Sequence, residues 1–69
     1  MHTLLMQLDD GDGTLLRVLS TTWRRGWQLI GVNFEAPQVR LTVAGERSVE
    51  LLTRQLDRLT DVRSVQVLS

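Results

Sequence analysis

Trp27-Gln28-Leu29-Ile30-Gly31-Val32-Asn33-Phe34-Glu35-Ala36-Pro37-Gln38-Val39-Arg40-Leu41-Thr42-Val43-Ala44 is the stretch that decides the fold. Its second half, Gln38 to Ala44, alternates cleanly: Val39, Leu41 and Val43 fall on one side of an extended chain and Arg40 and Thr42 on the other, the pattern of a strand with one buried and one wet face. The first half, Trp27 to Phe34, is rich in β-formers but apolar on both sides, with Gln28, Ile30, Val32 and Phe34 alternating with Trp27, Leu29, Gly31 and Asn33. A strand of that kind is either covered on both faces or broken by a bulge, and Gly31 is a natural place for one. Glu35-Ala36-Pro37 is a short connection in which Pro37, the only proline, cannot donate to a ladder, so the two strands read as a hairpin.

Upstream of the hairpin, Thr14 to Arg25 places Leu15, Leu16, Val18, Leu19 and Trp23 at spacings expected for one face of a helix of about three turns. Arg24 and Arg25 suit its negative end, and Gly26 can take the left-handed conformation that stops it. Trp23 and Trp27 are expected to pack that helix end onto the sheet, Trp27 being the better placed for an interface, and Arg24-Arg25 to be a solvated helix end. Before the helix comes the turn Asp9-Asp10-Gly11-Asp12-Gly13, with Asp12 or Thr14 as cap, and before that His2 to Leu8, whose Leu4, Met6 and Leu8 share one side of a strand.

Downstream, Ser48 reads as the cap of a second helix whose stripe is Val49, Leu52, Leu56 and Leu59, with Glu50 in the favourable first turn. Val62 to Leu68 reads as a last strand. The order is therefore β-α-β-β-α-β. Each β-α-β half crosses over right-handed, which puts both helices on one face of a four-stranded antiparallel sheet: an α+β, ferredoxin-like domain spanning residues 1–69.

A chain of 69 residues without cysteine has a small core and no covalent staple, so association into a homodimer is expected. Eight basic and eight acidic residues cancel, which removes the overall field expected of a nucleic-acid or membrane-surface binder. Neither Leu4-Leu5-Met6 nor Val39 to Val43 displays the aromatics on which RNA-binding modules of this topology stack bases. No apolar run approaches the roughly 20 residues of a membrane span, and the amino terminus has no secretory pattern, so a cytoplasmic location is expected.

Catalytic chemistry finds few candidates. His2, the sole histidine, reads as a loose surface residue at the chain end. Counted from Asp10 as a calcium loop, the sixth and twelfth positions hold Leu15 and Thr21 where glycine and a carboxylate are required, and no metal site is expected. The turn after the first strand can instead offer backbone amides to a carboxylate and an acid to an ammonium group, the two ends of a free amino acid. The residues alone leave that reading open beside a plain solvated turn.

Asp9 to Val18, Arg25-Gly26-Trp27, Leu41-Thr42-Val43-Ala44, Arg47 to Leu52, Gln55-Leu56 and Leu59 to Val62 together resemble the ACT domain, and within it the small regulatory subunits of acetolactate synthase, closest to the isozyme II type. The resemblance covers nearly the whole chain. It implies a non-catalytic subunit that binds and activates a thiamine-diphosphate-dependent large subunit in branched-chain amino-acid synthesis. Thiamine diphosphate, magnesium and FAD would then belong to that large subunit, with no cofactor in this chain. It implies side-by-side pairing of sheets, and an effector site between subunits at Asp10, Gly13, Thr14, Gln28 and Leu29, with a branched-chain amino acid as the candidate effector. Asp10 and Gln28 stand where valine-sensitive relatives carry asparagine, so valine feedback does not come with the resemblance. The alternative is a free-standing ACT-type amino-acid sensor acting on another enzyme.

Overall fold

The computed structural model describes residues 1–9 and 12–69. Among them run β1 (His2–Leu8), α1 (Asp12–Arg24), β2 (Gln28–Glu35), β3 (Gln38–Ala44), α2 (Val49–Asp57) and β4 (Val62–Val67), the expected β-α-β-β-α-β order. The strands form one antiparallel sheet in the order β2-β3-β1-β4, so β2 and β4 are its edges. None of the described helices is long and apolar enough to cross a membrane.

The period-2 pattern of the inner strands sets the core. Leu4, Met6 and Leu8 of β1 and Val39, Leu41 and Val43 of β3 are buried beneath Val18 of α1 and Leu52 and Leu56 of α2. Facing residues such as Leu4 and Leu41, or Met6 and Val39, are direct cross-strand partners and so lie on the same face. The other face carries Thr3, Gln7, Gln38, Arg40 and Thr42, and the hydroxyls of Thr3 and Thr42 approach to 3.4 Å across the strands. At the chain ends the Thr3 amide donates to the Ser69 carbonyl at 3.3 Å and the Leu68 amide to the Thr3 carbonyl at 2.8 Å.

Of the two outcomes open to β2, the structure shows the bulge. Leu29 pairs with Val43 and Gly31 with Thr42, so Ile30 is the extra residue. That one insertion shifts the pleat: Val32 and Phe34, opposite Leu41 and Val39, join Leu29 on the helix side, while Asn33 opposite Arg40 faces away.

Three expectations about side chains are corrected. α1 buries Thr14, Val18, Thr21 and Thr22 and half-buries Leu15 and Leu19, whereas Leu16 and Trp23 are 66% and 69% exposed. A threonine takes the position one turn after Val18, and its cost is met because the Thr22 hydroxyl donates to the Val18 carbonyl at 2.8 Å. Trp23 is one residue, about 100° of helix, out of phase with that stripe. Trp27 is the reverse case: 3% exposed and part of the core, it leaves Trp23 as the open tryptophan. His2 is a strand residue, half-buried, its ring edge-on to Trp27 with centroids 6.1 Å apart.

The caps follow the sequence at most ends. Gly26 stops α1 with φ of 89°, and Ser48 caps α2, its hydroxyl accepting from the Glu50 amide at 3.3 Å. α1 begins at Asp12, two residues before the expected start, so Asp12 is its first residue and Thr14 lies within its first turn instead of preceding it.

Candidate functional site

Of the residues expected to hold an effector, Asp10 lies outside the described residues. Gly13 and Thr14 occupy the first turn of α1, where backbone amides have no partner within the helix and the positive end of the helix dipole is exposed. A Cβ built on Gly13 would meet nothing within 4 Å among the described residues, so there is room beside that position. Thr14 is 4% exposed; its side chain belongs to the core and its contribution to a ligand would be its amide.

The floor of that region is firmly tied. The Leu8 amide donates to the Pro37 carbonyl at 2.8 Å and the Asp9 amide to the Asp61 carbonyl at 2.7 Å, fastening the end of β1 to the turns on either side. Arg17 of α1 reaches Asp61 at 2.5 Å, and Arg63 pairs with Asp9. Asp9 and Asp61 are thereby matched by cations of this chain. The turn's acidity at Asp9 is spent internally, which the sequence did not reveal because Arg63 is 54 residues away.

Gln28 and Leu29 begin β2. They line, with Trp23, Gly26 and Trp27, an open cleft of about 510 Å³ at the C-terminal end of α1. β1 and β2 both run antiparallel to β3 and hence in the same direction, while α1 returns between them. Gly13 and Thr14 therefore sit where β1 and β2 end, and Gln28 and Leu29 where β2 starts, with about 15 Å of helix between Thr14 and Arg24. One chain brings together each adjacent pair but does not unite the two pairs.

Two features become visible only with the strand order and the helix packing. One is the rim of β2, where Ile30, Val32 and Phe34 are each nearly half exposed at an unpaired edge. The other is a cleft between the last turn of α1 and the facing side of α2, lined by Thr21, Arg24, Arg25, Gln55, Arg58 and Leu59. Arg24 and Arg25 hinted at it, but only the packing of the helices places Arg58 beside them. Among the described residues, no group of three or more histidine, cysteine, aspartate and glutamate side chains is arranged to hold a metal ion.

The family model for the ACT domain matches residues 10–65. The small subunit of acetolactate synthase isozyme 2 from Escherichia coli strain K12 is 40% identical over 60 residues, covering 78% of this chain and 69% of that protein. The Shigella flexneri small subunit of the same isozyme matches to the same extent. Among solved structures, the ACT domain of GTP pyrophosphokinase from Chlorobium tepidum superposes with a TM-score of 0.78 at 12% identity, over 97% of this chain and 95% of that one. Phospho-2-dehydro-3-deoxyheptonate aldolase from Thermotoga maritima gives 0.70 at 11% identity, over 99% of this chain and 20% of that one. At such identities these two structures bear on the fold alone.

Proposed function

The chain belongs to the ACT-domain family, and from that premise we propose that it is a non-catalytic regulatory subunit that binds and activates the large subunit of an acetolactate synthase in the cytoplasm. The observation that carries this reading is the 40% identity to isozyme 2 small subunits over more than two thirds of their length. Thiamine diphosphate, magnesium and FAD are assigned to the large subunit. The small subunit then acts through differential affinity for states of its partner, the means open to a binding domain.

The working form proposed is a homodimer paired across β2. A two-fold axis that sets β2 against its counterpart reverses the strand direction. It carries the second copy's Gln28 and Leu29 to the end of the sheet where the first copy's Gly13 and Thr14 lie. It also covers the apolar rim of Ile30, Val32 and Phe34 and supplies partners to the free edge. A branched-chain amino acid is the proposed occupant of the resulting site, its carboxylate toward the first turn of α1.

The test is acetolactate formation by the purified large subunit with and without this chain, each with and without valine. A several-fold rise on addition, unaltered by valine, is expected. No change in rate and no binding would refute the regulatory-subunit reading.

A further inference from the structure

The cleft between the two helices is a cationic strip that the fold itself does not call for. It has a volume of about 500 Å³ and takes in Arg24, Arg25 and Arg58. A narrower groove continues from it, sharing Arg25 and Gln55 and adding Trp27, Arg47, Leu51 and Leu52. Four arginines thus line two depressions that meet at Arg25 and Gln55. Among the described residues the ion pairs are Arg17 with Asp61 and Arg63 with Asp9, so none of the four has a carboxylate within 4.0 Å, although Glu46 and Asp57 adjoin Arg47 and Arg58 in the chain. Arg24, in the last turn of α1, and Arg25 just beyond it gain from the negative end of the helix. Gathering Arg47 and Arg58 around them adds like-charge repulsion, which an anionic partner would relieve.

The chemistry of the lining favours a polypeptide partner. The Gln55 Oε1 atom is buried with no hydrogen-bond donor among the described residues. A fully ionised phosphate group offers no N–H, whereas an extended polypeptide offers one at every residue but proline. Leu51, 50% exposed, and the half-buried Leu59 give the strip apolar margins of the kind found where protein meets protein. We propose that this groove is the surface by which the chain docks an acidic polypeptide segment, carboxylates on the arginines and a backbone amide on Gln55. Resting on the regulatory reading above, the segment belongs to the large subunit.

The experiment measures binding of the full chain to the purified large subunit, together with activation, for wild type, R24E/R25E/R58E, the milder R24Q/R58Q, and R40E as a charge control on the opposite face of the sheet. Circular dichroism and sedimentation establish which variants fold and pair. Affinity is expected to fall by about ten-fold or more in the charge-reversed variant and less in R24Q/R58Q, with activation lost in parallel. Wild-type binding should weaken as salt rises above about 0.1 M. R40E should bind as wild type. Wild-type affinity in folded R24Q/R58Q and R24E/R25E/R58E, or equal loss in R40E, would overturn the groove while leaving the regulatory reading intact. Failure of the wild type to bind the large subunit would overturn both.

Discussion

Gly45 is where a single atom would be felt most. A Cβ there would stand 2.7 Å from Cε3 of Trp27, a ring that is itself buried among β1, β3 and the helix layer. Gly45→Ala should cost about 1–3 kcal/mol, as overpacking of a filled core does. For a domain of this size that lowers the melting temperature by about 4–8 °C per kcal/mol. Trp23→Ala, by contrast, should change stability by no more than about 0.5 kcal/mol, since that ring is largely in solvent. Urea denaturation of both variants checks the pair, and a reversed order would contradict the burial described here. The tryptophans also mark how far residues were legible from sequence. Hydrophobicity alone put Trp23 on the buried stripe, because a hidden threonine whose hydroxyl bonds within its own helix leaves no apolar signal at position 22.

At the scale of elements, strands were read more accurately than helices. β1 and β3 have the expected bounds because strict alternation survives wherever one face is buried. For β2 the sequence leaves two outcomes open, cover on both faces or a bulge near Gly31, and the register shows the bulge, with the extra residue at the neighbouring Ile30. What periodicity could not supply is the edge itself, since strand order depends on pairings distant in sequence. The consequence is testable in Val32→Lys and Phe34→Lys. A lysine at an open edge discourages pairing with another strand at small cost to the strand's own sheet. Each variant should keep its circular dichroism spectrum and shift the sedimentation profile toward monomer. Unchanged dimerisation in both would count against pairing across β2.

For the whole molecule, the decisive fact is that Gly13 and Thr14, and Gln28 and Leu29, the expected effector residues among those described, lie at opposite ends of α1. The resemblance named those residues, but their division emerges only from strand direction. In the pairing proposed above, a two-fold axis would make each site from both copies. Gly13→Glu, which fills the open space over the helix start, and Gln28→Ala should each reduce amino-acid binding when present in both copies. Mixed in equal amounts and allowed to exchange, the two should recover about a quarter of wild-type capacity, because half of the dimers are then mixed and each holds one intact site of two. Calorimetric titration with the branched-chain amino acids measures this, and no recovery would argue that each site lies within one chain.

A site split along the length of one helix, as proposed, would also set a rule of numbers. In dilute solution the population of complete sites grows with the square of the amount of chain present. A solitary copy would be deaf to the effector, and the ligand, by holding two copies together, would tighten the assembly that lets it be sensed. The dose of the protein and the dose of the amino acid would then be read by one equilibrium.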